Sequence, residues 1–238
     1  MWLSCPASWK FKYVDKIQTI ATPALTFGSA IHTAVEQYLV REDKNLKPTD
    51  FWSPAWAAAL EKQPTNWGED TPEQHFNEGV RILSNEQIIY NLNTLTAVKI
   101  EEMITLRVPG VPIPIIGYID IQTQDGVPGD FKTSARSWTA DKAQAETQSL
   151  FYLAALNQDG RTVDGWRFRH YIIVKTKTPQ WQMFEHTHKP AEVFWLFGMI
   201  QKVWLGISAG VFPESPVSWK CSEVFCDYWK ICRGKYLK

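Results

Sequence analysis

Asp120, Asp130 and Lys132 carry the reactive groups with the most informative separation in this 238-residue chain. They interrupt an apolar stretch. Ile113, Ile115, Ile116, Tyr118, Ile119 and Ile121 predict one strand, and residues 127–133 predict a second. Asp125-Gly126 between them is a strong turn signal, because both residues tolerate positive φ. Residues two apart on a strand share a face, so Asp130 and Lys132 point the same way. With Asp120 facing likewise on the neighbouring strand, two carboxylates and an ammonium converge at one end of a sheet. Carboxylates that close repel unless a cation stands between them, and hard oxygen ligands suit Mg²⁺ or Mn²⁺. A solvated hairpin would carry the same three charges, so the surrounding elements must decide between the two readings.

Those elements alternate in type. Gly28–Glu42 predicts a helix with the stripe Ile31, Val35, Tyr38 and Leu39, and His32 sits beside that stripe. A short helix is predicted around Ala55–Lys62. Thr71-Pro72-Glu73 starts another, by cap and first-turn proline, running to about Asn91. Residues 44–95 thus predict a helical insertion or arch. Ala97–Val108 alternates as a strand, with Glu102 on the apolar parity and Glu101 off it. After the central hairpin come a helix over 140–157, strands over 166–175 and 180–186, and a helix over 190–209. Gln148 and Tyr152, four apart on the first of these helices, share a face.

Composition is that of an ordinary globular chain, with 45% apolar and 21% charged residues. No apolar run suggests a membrane span. The opening MWLSCPASWKFKY lacks the apolar core of a signal peptide, which predicts a cytoplasmic protein. A net charge of zero argues against non-specific coating of nucleic acid and leaves room for a local basic groove. The twelve tryptophans are core residues or, for a few, stacking platforms for bases.

Cys221, Cys226 and Cys232 form C-x4-C-x5-C in the tail, and the fourth cysteine, Cys5, lies near the other terminus. In a cytoplasmic chain four such cysteines point to a metal site rather than to disulfides. Zn²⁺ and an iron–sulfur cluster both accept four thiolates. Such a site would pin the two ends of the chain together.

Together these segments resemble the RecB-family PD-(D/E)xK nucleases, in particular the iron–sulfur branch with AddB and the CRISPR-associated RecB-like exonucleases. The resemblance is carried by Cys5-Pro6, Gly28-x3-His32, Gly117-Tyr118-Ile119-Asp120, Gly129-Asp130-Phe131-Lys132-Thr133, Gln148-x3-Tyr152 and the tail cysteines. It implies one restriction-endonuclease-like α/β (α+β) domain over 1–238. A central mixed sheet is flanked by helices, with the insertion at 44–95 and a cluster-binding region built from 1–16 and 210–238. It implies that Asp120 and Asp130 hold Mg²⁺ or Mn²⁺, helped by His32 and the Phe131 carbonyl. Lys132 would orient or activate the attacking water, Gln148 and Tyr152 would shape the site, and a glutamate from the preceding strand would join. Glu101 fits that place better than Glu102. Cys5, Cys221, Cys226 and Cys232 would hold a [4Fe–4S] cluster. The tail spacing C-x4-C departs from the tighter spacing of that branch, which keeps Zn²⁺ open. The implied activity is metal-dependent exonucleolytic hydrolysis of single-stranded DNA or DNA ends in recombination, repair or CRISPR spacer acquisition, with proteins of those pathways as partners. The other reading is a catalytically weak DNA-end-binding or adaptor module. No G-x4-G-K-[ST] motif is present, so the chain carries no motor of that kind.

Overall fold

The computed structural model describes residues Met1–Leu237. The chain divides into two compact units. One comprises 21–107 and 112–196, the other 1–20, 108–111 and 197–238.

The larger unit is built on a five-stranded mixed sheet in the order β1-β2-β3-β4-β5, from β1 (Ala97–Leu106), β2 (Ile115–Thr123), β3 (Pro128–Ser134), β4 (Arg167–Val174) and β5 (Gln180–Thr187). Neighbours are antiparallel except β3 and β4, which run parallel. A parallel pair needs a crossover. Here it contains two short helices, Ala140–Gln144 and Thr147–Gln158. The sequence predicted one helix over 140–157. The chain instead breaks at Ala145-Glu146, and Glu146 adopts an extended conformation as the cap of the second helix.

Before the sheet come helices over Pro23–Leu39, Trp52–Lys62, Pro72–Leu83 and Glu86–Thr94. The first starts five residues earlier than Gly28, because Thr22 caps it through Leu25 N–H and Pro23 takes the first position. The helix expected over 72–91 is also two helices. Asn85 leaves helical geometry and caps the next segment through Ile88 N–H. These helices bury Phe27, Ile31, Trp52, Ile82, Ile88 and Leu92 in one core with Ile121, Phe131, Tyr171 and Ile173 of the sheet. With α-helices numbered in chain order from Pro6–Tyr13 as α1, they are α2 to α5, and the crossover helices are α6 and α7. By the two-residue period of a strand, Asp130, Lys132 and Ile172 point to the opposite face, where α6 and α7 lie against the sheet.

Gly117 shows how closely α7 approaches β2. A Cβ there would stand 2.6 Å from Phe151 Cε1 and 3.0 Å from Tyr152 Cε1. Gly117→Ala is therefore expected to overpack this contact and cost about 1–3 kcal/mol. Thermal denaturation should show a fall of several degrees, on the order of 2–4 °C per kcal/mol. An unchanged melting temperature would contradict the close packing.

In the smaller unit, the alternating Trp9, Phe11 and Tyr13 lie on helix α1, opened by Pro6 at its first turn. Trp9 stacks on Phe212 with ring centroids 5.9 Å apart, and Phe11 meets Tyr228 at 5.3 Å. Helix α8 (Glu192–Ser208) begins in the larger unit and ends in the smaller. No helix among the described residues is long and apolar enough to cross a membrane.

Candidate active site

The hairpin of β2 and β3 is paired only at Ile121–Gly129 and Gln122–Pro128. The two strands then part, and the next residue on each is an aspartate. Asp120 Oδ2 accepts a hydrogen bond from Phe131 N–H at 2.7 Å. A carboxylate thus stands where a backbone carbonyl would continue the ladder. Asp130 is 2% exposed. Lys132 Nζ donates to Asp130 Oδ1 at 2.9 Å. The same ammonium lies 2.7 Å from Oδ2, so Lys132 straddles both oxygens of the buried carboxylate.

α7 completes the row. Lys132 Nζ also donates to Gln148 Oε1 at 3.1 Å, and Gln148 Nε2 donates to the Tyr152 hydroxyl at 2.5 Å. Gln148 therefore fixes the ammonium against Asp130, and Tyr152 fixes Gln148. Burial raises the Tyr152 phenol well above its usual range, so it stays protonated.

α2 contributes His32, whose Nδ1 lies 3.6 Å from Asp120 Oδ2. Its ring also faces the Phe131 carbonyl. Burial, the largest influence, lowers the His32 pKa and outweighs the nearby Asp130, so the imidazole is neutral and able to ligate. Burial likewise pushes Asp120 and Asp130 up to about 6. For Asp130 the neighbouring Asp120 adds to that rise, and Lys132 only partly opposes it.

Glu101 and Glu102 part company. Pairing of Ile100 with Ile121 and of Glu102 with Ile119 sets Glu101 across from Asp120. Glu101 has φ 50°, a left-handed conformation that costs energy for a residue with a Cβ. It lines a groove of about 450 Å³ with His32 and Lys132. Glu102 instead pairs with Arg161 at 2.8 Å and Lys99 at 2.6 Å, a structural tie. Asp125 at the hairpin tip is structural too. Arg169 grips it at 2.6 Å and holds its carboxyl down to about 2.

Sequence reasoning missed Glu36. It follows His32 by one helical turn on α2 and lines the same groove as Glu101. Burial, then Glu101, raise it to about 8. The available signal was its position four residues after His32. Also unforeseen is a buried tie in which Ser149 Oγ meets His188 Nε2 at 2.8 Å and His186 Nε2 at 3.3 Å. His188 Nδ1 lies 3.0 Å from Glu192 Oε2. Ser149 is fully buried, so its hydroxyl is sealed from substrate and the network is structural.

The donor set suits a hard divalent cation. The carboxylates of Asp120 and Asp130, a neutral imidazole and a backbone carbonyl are hard or borderline donors of the kind such an ion takes. Among the described residues no three acidic, histidine or cysteine side chains stand in ligating positions as the chain is arranged.

In the smaller unit, Cys5, Cys221, Cys226 and Cys232 line one cavity of about 390 Å³. All four are free thiols. Burial raises the Cys226 thiol, and the other three cysteines raise it further. A metal would reverse that, since a coordinating thiol is deprotonated outright. The structure brings the four expected cysteines to one place but does not hold them in a ligand shell.

A family model described as the PD-(D/E)XK nuclease superfamily matches residues 2–233. No curated protein matches the chain. Among solved structures, a "Putative exonuclease" from Eubacterium rectale shares the fold, with a TM-score of 0.58 at 11% identity, covering 92% of this chain and 79% of its own. SSO0001 aligns over 96% of this chain and 95% of its own at 14% identity, with a TM-score of 0.39.

Proposed function

The chain belongs to the PD-(D/E)XK nuclease superfamily, and on that premise we propose that it is a Mg²⁺- or Mn²⁺-dependent exonuclease acting on single-stranded DNA or DNA ends. The observation that carries the reading is the gap between β2 and β3. There Asp120 and Asp130 stand side by side, both buried, and Lys132 is held by both Asp130 and Gln148. A domain that only bound DNA would have no need to bury two carboxylates that repel each other.

In this reading Asp120 and Asp130 hold the cation, with His32, the Phe131 carbonyl and Glu101 as further donors. The bound cation supplies Lewis acidity toward the phosphate and acidifies a nearby water. Lys132 orients the attacking water and offsets charge on the phosphate. Gln148 and Tyr152 keep the ammonium in place and border the DNA strand. The water oxygen forms a bond to phosphorus, the bond to a sugar oxygen breaks, and the proton lost by the water ends on that leaving oxygen or in solvent.

The cysteines are assigned to a [4Fe–4S] cluster of the RecB-like iron–sulfur branch, with Zn²⁺ as the competing occupant. Its role is structural, with residues 1–16 and 210–238 as the cluster-binding region and 44–95 as the helical insertion of one nuclease domain. The pathway is recombination, repair or CRISPR spacer acquisition, in the cytoplasm and alongside the proteins of that pathway.

Lys132→Ala tests the division of labour. The variant is expected to bind Mn²⁺ and DNA as the parent does and to lose cleavage. Cleavage at the parent rate would remove Lys132 from the chemistry.

A further inference from the structure

We infer, resting on the proposed exonuclease reading, that the outer face of the β1–β2 ribbon is a stacking platform for the unpaired bases of a DNA single strand entering the site. Tyr118 and Met103 are its centre.

β2 is paired with β3 only at Ile121–Gly129 and Gln122–Pro128. Its pairing with β1 continues, from Glu102–Ile119 to Leu106–Ile115. Residues 102–106 and 115–119 therefore run on as a two-stranded ribbon beside Asp120. The two faces of this ribbon differ. One carries Ile104, Leu106 and Ile119, all buried, with Gly117 against Phe151 and Tyr152 of α7. The other carries Met103 directly across from Tyr118, and Thr105 across from Ile116. Tyr118 is 51% exposed, Met103 58% and Ile116 56%. An apolar patch packed from behind and bare in front marks a binding surface.

Its location indicates the occupant. Tyr118 stands two residues before Asp120, about 7 Å along the strand. Met103 stands two residues after Glu101, which lines the groove with His32 and Lys132. A DNA strand with one phosphate at Asp120 thus lays an adjoining nucleotide toward Tyr118. The phenol ring offers a flat face on which any base can stack, which suits a substrate of any sequence. The flexible methionine adapts to whichever base lies beside it. Arg107 continues the parity of Met103 and Thr105 just past the strand and is exposed. Gln158 fixes its backbone, accepting from the N–H at 2.7 Å and donating to the carbonyl at 2.9 Å. Its guanidinium forms no ion pair among the described residues and is free to take a phosphate. Aromatic rings with a neighbouring cation are what a single-strand surface requires. Bases inside a duplex are stacked on one another and offer no face to the ring, so the platform selects unpaired strands.

Fluorescence anisotropy of labelled oligothymidylate with the full-length protein, in EDTA and in Ca²⁺, measures binding apart from cleavage. Tyr118→Thr keeps a strand-favouring residue at this exposed position. It is expected to weaken binding about fivefold to a hundredfold, the range given by loss of one base–aromatic stack. Tyr118→Phe keeps the ring and should bind as the parent does. An abasic strand of the same length has the phosphates without the bases, and Tyr118→Thr should bind it with parent affinity. Arg107→Ala should weaken binding of both strands and lower the salt dependence by about one phosphate contact. Equal affinity of the parent and folded Tyr118→Thr for oligothymidylate would overturn the platform and leave the nuclease reading standing. A parent dimer lost in Tyr118→Thr, with DNA affinity unchanged, would assign the face to a second copy of the chain instead. A parent that cleaves duplex ends in Mg²⁺ yet binds no single strand would overturn the platform alone. A parent that neither binds nor cleaves DNA would overturn both.

Discussion

Asp130→Asn is expected to lose detectable DNA cleavage and, in EDTA, to melt at a higher temperature than the parent at pH 8. The two effects share one cause. Asp130 is buried beside Asp120, and its folded-state pKa is pushed up to about 6 by burial first and by Asp120 second. An acid whose folded pKa lies above its unfolded value keeps its proton in the folded chain while the unfolded chain has already released it. Between about 4 and 6 the unfolded state therefore binds fewer protons, and stability falls as pH rises. Above that window the folded protein carries the full cost of the buried charge, on the order of 1–3 kcal/mol after allowance for its coupling to Asp120. Asparagine has no proton to lose and still offers Lys132 an acceptor. Its advantage should appear as pH rises from 4 to 6 and persist to pH 8, as a gain of roughly 2–10 °C.

The comparison with the parent matters, because His170 and His186 titrate with the opposite sign. Burial depresses them to about 3 and about 4, so they stabilise above their unfolded pKa and destabilise as pH falls. Those contributions are common to both proteins and cancel in the difference. Mn²⁺ should reverse the order by stabilising the parent and leaving the variant unchanged. A variant less stable than the parent in EDTA at pH 8 would contradict the account of a site strained to receive a cation.

Cys226→Ser is expected to lose the metal or cluster proposed for the four cysteines and, with it, to unfold at much lower temperature, while the folded fraction retains the proposed cleavage. Cys226 lines the same cavity as Cys5, Cys221 and Cys232, so a shared metal would join the N-terminal helix to the tail. Closing a loop that encompasses nearly the whole chain restricts the unfolded state by about 5 kcal/mol, by the logic that applies to a disulfide. That corresponds to a fall of roughly 10–20 °C. The visible absorption of anaerobically purified protein and its iron and zinc content would identify the occupant. Undiminished melting in Cys226→Ser would remove the structural role from the cysteines.

The central hairpin was legible because its signals agree at several levels. Alternating isoleucines, an Asp-Gly turn and charges at fixed parity all specify one register, and β2 and β3 follow it. The parity of β1 separated Glu101 from Glu102, although the positive φ of Glu101 and the pairing of Glu102 with Arg161 were not readable. Both depend on residues distant in sequence. The breaks at Asn85 and Glu146 escaped because apolar periodicity continues across them, and only the capping geometry marks the stop. Glu36 escaped for a different reason. A glutamate beside a helical stripe reads as solvated, and only the approach of α2 to β1 turns it toward other acids. The glycines of the two motifs could be noted but not explained, until Gly117 met Phe151 and Gly129 met Tyr171 in space.

The most direct test is incubation of end-labelled single- and double-stranded DNA with the parent protein and Asp130→Asn, in Mg²⁺, in Mn²⁺ and in EDTA. Progressive degradation by the parent in either metal, absent in EDTA and in the variant, is the predicted result. DNA that is bound but left intact in every metal would contradict the nuclease reading and leave a binding module.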